Sequence, residues 1–70
     1  MEDFEVHSSV IRRIKRKEDL EIHVREVEIK DLQFIDIREF IPSRNFYGHG
    51  IIFPRSDELI EDLLTALGKI

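Results

Sequence analysis

The chain contains no cysteine. That excludes disulfides and thiolate metal sites as sources of stability and leaves the redox compartment unspecified. No apolar run approaches the roughly 20 residues of a membrane span, and no apolar h-region follows Met1. The expectation is a soluble, intracellular protein with no membrane partner. Internal repeats and low-complexity linkers are missing, as are the nucleophile elbow, the P-loop and the dinucleotide-binding fingerprint. His7, His23 and His49 do not fall at the i,i+2 or i,i+4 spacing of metal ligands, so neither metal nor cofactor is expected. The carboxylate pairs Glu26/Glu28 and Glu61/Asp62 sit among charged neighbours and read as solvated surface rather than as a general acid and base. An enzyme is not expected.

Acid is also missing from one stretch, between Phe40 and Ser56, where Arg44 and Arg55 stand without it. The net charge of −4 therefore conceals a segregation. Five of the six residues Arg12–Lys17 are basic, while the acids gather in Glu18–Glu28 and Asp57–Asp62. The local field follows this distribution rather than the total. With 70 residues the chain makes one domain, 1–70, and a small one. A domain of this size buries only about 60% of its unfolded surface, so it gains from sharing a core with a second copy.

The strongest pattern is Phe34-Ile35-Asp36-Ile37-Arg38-Glu39-Phe40-Ile41, rich in the β-branched and aromatic types that suit a pleated surface. Alternation puts Ile35, Ile37, Glu39 and Ile41 on one face, and Phe34, Asp36, Arg38 and Phe40 on the other. The first face is nearly dry; the second mixes aromatics with charge. Before it, Phe4, Val6, Ser8 and Val10 alternate with polar residues as a first strand, broken at Ile11 by a bulge. Leu20, Ile22 and Val24 then alternate, and Val27 and Ile29 follow out of phase. That shift predicts a second strand with a bulge in its middle. Glu18-Asp19 and Lys30-Asp31-Leu32 are the turns, and Pro42 ends the third strand.

Ser43–Gly50 reads as a loop, in which Phe46 tucks under the sheet and Tyr47 stays exposed. Ile51-Ile52-Phe53 is a short fourth strand. From Ser56, an N-cap followed by Asp57 and Glu58, the period turns helical. Leu59, Ile60, Leu63, Leu64 and Leu67 form a stripe spanning about 140° of the helix. One edge of it covers the sheet and the other meets the helix of a second copy. Gly68 is the expected C-terminal cap. The fold class is α+β: a four-stranded antiparallel curved sheet followed by a C-terminal helix, with the helix mediating a homodimer.

Two features together resemble the single-stranded-DNA-binding domain of the positive cofactor 4 family of transcriptional coactivators. They are Ile35-Asp36-Ile37-Arg38-Glu39-Phe40 at the end of a hairpin, and Gly50-Ile51-Ile52-Phe53 ahead of an amphipathic helix. The resemblance spans about Leu20 to Leu67 and implies a dimer whose paired sheets grip unpaired strands. It also implies that Arg38 faces the nucleic acid and that Lys30 is a basic residue of the hairpin tip. Ile29 and Ile41 stand where the family often places stacking aromatics, and His49 where a lysine commonly precedes the glycine.

Binding single strands needs cations for phosphates and flat groups for bases. Arg12, Arg13, Lys15, Arg16, Lys17, Arg25, Lys30, Arg38 and Arg44 are the candidate cations; Phe34, Phe40 and Tyr47 are the candidate platforms. The expected function is sequence-tolerant binding of single-stranded DNA, or RNA, by a homodimer near transcription, replication or repair, with proteins of those processes as further partners. The alternative is a dimeric protein-interaction module of the same fold without nucleic-acid binding. Against an interfacial role for Arg38 stands an ordinary exposed ion pair with Asp36 on the same strand face.

Overall fold

The structure, a computed structural model, describes residues 6–70. Four strands, β1 (Val6–Lys17), β2 (Leu20–Ile29), β3 (Leu32–Ile41) and β4 (Phe46–Pro54), precede one helix, α1 (Asp57–Leu67). The strands form an open curved antiparallel sheet in the order β1-β2-β3-β4, so every connection joins neighbours. Phe4, expected in the first strand, lies outside the described residues.

Turn chemistry fixes the register. Lys30 and Asp31 both adopt left-handed φ, 51° and 66°, as the central residues of a type I′ turn do. That turn pairs Ile29 with Leu32 and carries the ladder unshifted to Glu21↔Phe40. The bulge expected in the second strand is therefore not there. Val27 and Ile29 are out of phase with Ile22 and Val24 because β2 carries apolar residues on both faces. The bulge sits in β1, between Val10 and Arg12, at Ile11 as the sequence predicts. At the far end Asp19, with φ 61°, closes the first hairpin. Its carboxylate accepts hydrogen bonds from the Ser43 N–H at 2.8 Å and from the Ser43 hydroxyl, tying that hairpin to the β3–β4 connection.

The fourth strand is longer than the sequence suggests. Pro42–Arg44 makes a single 3-10 turn, Asn45 takes φ 49°, and β4 starts at Phe46 rather than Ile51. Phe46 pairs with Ile41 and Tyr47 with Phe40, so β3 itself draws this segment into the ladder. The expected roles of the two aromatics are exchanged. Phe46 is 55% exposed, whereas Tyr47 is half-buried against the sheet.

Ser56 caps the helix, accepting from the Leu59 N–H at 3.4 Å, and Gly68 closes it in a right-handed conformation. The helix lies over the sheet face that carries Val24, Ile35, Ile37, Ile51 and Phe53. It does not close on that face. A groove of about 470 Å³, lined by those residues and by Ile60, Leu63, Leu64 and Leu67, stays open; Leu64 and Leu67 remain 64% and 61% exposed. Leu59 is half-buried outside the groove lining. Among the described residues Val27 is the one buried apolar side chain.

Gly50 marks a close approach of β4 to β3. It faces Arg38 in the ladder, and a Cβ there would collide with Arg38 Cβ and the Ile37 carbonyl oxygen. Gly50→Ala is expected to lower stability by about 1–3 kcal/mol through overpacking. Denaturant unfolding checks this, and an unchanged midpoint contradicts the close approach.

Candidate nucleic-acid interface

The sheet face opposite the helix is assembled from β2 residues of odd number and their cross-strand partners. Reading across the register gives the rows Lys15–Glu21–Phe40–Tyr47, Arg13–His23–Arg38–Gly50, Val10–Arg25–Asp36–Ile52 and Ser8–Val27–Phe34–Pro54. The buried polar residues of the described chain lie here, His23 at 2% and Asp36 at 0% exposure. The face expected to be the wetter one is thus the better buried.

Asp36 is the centre. Arg38 reaches it through Nε at 2.8 Å and Nη2 at 2.6 Å; Arg25 reaches Oδ2 through Nε at 2.9 Å and Nη2 at 2.8 Å. Arg38 also donates from Nη1 to the Gly48 carbonyl at 3.2 Å, which joins β4 to the cluster. Burial alone would raise the Asp36 pKa, but the hydrogen bonds and charges of Arg38 and Arg25 outweigh it and hold the carboxyl below its ordinary value. Arg38 is raised in turn, chiefly by its hydrogen bond to Asp36. The pair is therefore not the exposed one that sequence reasoning supposes. Two guanidiniums share one carboxylate and leave a formal charge of +1, with about a fifth of each guanidinium side chain still open, 19% and 24%.

Beside this clamp is an aromatic cluster. The rings of His23 and Phe40 stack at 4.4 Å with 22° between planes. Tyr47 meets His23 edge-on at 5.3 Å and Phe40 at 4.7 Å, and the Arg25 guanidinium lies 4.3 Å from the Tyr47 ring centre. His23 Nε2 is 2.8 Å from Glu21 Oε1, and His23 Nδ1 is 3.0 Å from the Tyr47 hydroxyl. A neutral ring protonated on Nε2 satisfies both contacts, donating to Glu21 and accepting from Tyr47. Among the described residues, no buried side-chain nitrogen or oxygen lacks a partner.

The fold brings Arg13, Lys15, Arg25, Phe34, Arg38, Phe40 and Tyr47 onto this face. It does not bring every candidate. Arg12 pairs with Val24 and so belongs to the helix side; Arg16 falls in the register irregularity before Lys17, and Lys17 sits at the hairpin mouth opposite Leu20. Arg44 lies in the 3-10 turn near the Phe40 end. Lys30 is in the opposite turn, about 30 Å along β2 from Glu21. Sequence reasoning missed Glu21, His23 and the central role of Asp36. The signal was available: a two-residue turn at Lys30-Asp31 dictates His23↔Arg38 and Arg25↔Asp36. No family model matches the chain, and no curated protein or solved structure matches it either.

A carboxyl whose pKa is depressed by folding stabilises the native state fully above the unfolded value of about 3.9. That stabilisation is lost as pH falls through the lower native value. Asp36→Asn is expected to remove this acid-linked part of the stability profile. It should also cost about 3 kcal/mol near neutral pH by leaving two arginines side by side without their counter-charge. Unfolding curves from pH 7 to pH 2 on both chains read the two effects, and parallel profiles would remove Asp36 from the account.

Proposed function

We propose that the protein is a homodimer that binds single-stranded nucleic acid, DNA in the first instance, without strong sequence preference. The observation that carries this reading is the arrangement along β3 and its neighbours. Arg38 stands between Phe34 and Phe40 on one face, Tyr47 flanks Phe40, and Arg13 and Lys15 line the adjoining β1 edge. Aromatic rings offer every base a π-face and cations neutralise the backbone, so binding follows chemistry rather than sequence. The resemblance of Ile35–Phe40 and Gly50–Phe53 to positive cofactor 4 domains supports the same reading and suggests work in transcription, replication or repair.

The second copy is supported from the other face. The groove between helix and sheet is lined by apolar side chains alone, with Leu64 and Leu67 open to solvent. Covering that groove by an isologous contact of two helices would give each subunit the core it lacks.

A protein-interaction role has one observation in its favour: both central arginines are already engaged by Asp36. Anisotropy titration separates the two readings. A labelled oligothymidylate is expected to bind at micromolar concentration or tighter, in preference to duplex, with log affinity falling by about 0.7 per phosphate engaged against log salt. Arg38→Ala is expected to reduce that slope by one such step. No binding at low salt would leave the interaction module. Light scattering at high micromolar concentration is expected to give twice the 8.4 kDa chain mass, and a monomeric mass would overturn the dimer.

A further inference from the structure

We infer that β3 carries a two-platform track for one strand: Phe40 and Phe34 each receive a base, and the Arg25–Asp36–Arg38 clamp holds a phosphate of the stretch that runs between them. This rests on the single-strand reading above and adds where the strand runs, what it touches and how long it must be.

The Phe40 platform is preformed. His23 covers one side of the ring at 4.4 Å and Tyr47 braces it at 4.7 Å, yet Phe40 stays half-exposed. A base added there would extend an existing stack. The second platform lies at the other end of the same strand face. A cleft of about 530 Å³ opens there, lined by Asp31, Leu32, Gln33, Phe34, Pro54 and Arg55. Leu32, Phe34 and Pro54 are its apolar walls; Gln33 and Arg55 close the rim, with Arg55 Nη1 bonded to Glu26 and Gln33 on the helix side of the sheet. The rim is held in place, because the Arg55 N–H donates to the Gln33 carbonyl at 2.9 Å and Arg55 Nη1 donates to Glu26 at 2.8 Å. An apolar wall that includes a half-exposed aromatic ring offers a nucleobase a surface for its flat face.

The stretch between the platforms decides the occupant. Two guanidiniums and one carboxylate leave a charge of +1 midway along the face. An apolar peptide laid from Phe34 to Phe40 would bury that charge without compensation, whereas a phosphate neutralises it with charge-assisted hydrogen bonds. Asp36 takes the Nε and Nη2 positions of both guanidiniums and the Gly48 carbonyl takes Nη1 of Arg38, yet the Arg25 and Arg38 side chains keep 19% and 24% exposure, through which a phosphate reaches them. Phe34 and Phe40 are about 20 Å apart along the strand. A strand at its stacked spacing of about 3.4 Å per phosphate needs about seven nucleotides to reach both, and a trinucleotide reaches one.

The test uses the full chain with thymidine oligomers of about three and eight nucleotides, and a uridine octamer as the ribose arm. The thymidine octamer is expected to bind at least about tenfold tighter than the trimer. Phe34→Leu, which keeps apolar volume and removes the ring, should cost the octamer about tenfold and the trimer less than about twofold. Ring-proton shifts of Phe34 and Phe40 in the unsubstituted chain should both move on octamer addition, which keeps the test open should the variant unfold. The uridine octamer should bind within a few-fold of its thymidine counterpart. An octamer indifferent to Phe34→Leu, a Phe34 ring that does not respond, or a sugar preference above about tenfold would overturn the track. If Arg38→Ala still weakened binding in that case, the single-strand reading would stand without it. Failure of every oligomer to bind at low salt would remove both.

Discussion

The structure depends on a carboxylate taken wholly out of water between two guanidiniums. Asp36 is the most buried side chain described, and a bare carboxylate in that position would be unaffordable by several kcal/mol. Arg25 is its direct cross-strand partner on β2, and Arg38 is the next residue on its own face of β3. Through Arg38 the cluster reaches the Gly48 carbonyl on β4, and through Arg25 it reaches the Tyr47 ring. One acid thereby fastens three strands and orients the groups that stand above them. A slip of one residue between β2 and β3 would turn Arg25 to the other face and strand Asp36, so the cluster opposes register error more strongly than it adds net stability.

That arrangement inverts the usual division of a one-helix sheet. The charged and aromatic face is self-sufficient, because its polar groups satisfy one another and its rings stack. The aliphatic face is the incomplete one, with Ile51, Leu64 and Leu67 uncovered. A slab whose principal extents are 41 × 35 × 17 Å has little interior for 70 residues. In the proposed dimer, a second copy would add hydrophobic burial on the helix side to offset conformational entropy. The opposite side would then be available to the proposed ligand.

Much of this was legible in the amino-acid order, and the parts that were not have physical reasons. Alternation in Phe34–Ile41, the doublet Val10-Ile11 and the Ser56 cap placed β3, the β1 bulge and the start of the helix correctly. The second strand misled because Val27 and Ile29 change phase, and period alone does not separate a bulge from a strand with apolar residues on both faces. The sequence understates the fourth strand because Gly48, Gly50 and Asn45 are turn formers. Here the pairing of Phe46 and Tyr47 with β3 overrode that propensity. Asp36 looks like half of a surface ion pair in the sequence because local sequence shows one arginine beside it. The second arginine arrives from β2, and only a committed register reveals it.

Rigidity is what links the cluster to recognition. Arginine side chains carry about 2 kcal/mol of rotamer entropy, much of which a flexible surface arginine loses on meeting a phosphate. Arg25 and Arg38 have already lost it in folding, fixed by Asp36 and, for Arg25, by the Tyr47 ring. Phe40 is similarly fixed by His23, which Glu21 and Tyr47 hold in turn. On the proposed reading a nucleic acid would meet groups already in position, leaving most of its binding energy for contact rather than ordering. The shared carboxylate also moderates the field, leaving one positive charge where two arginines alone would leave two. That charge balance sits in a chain whose overall charge is negative.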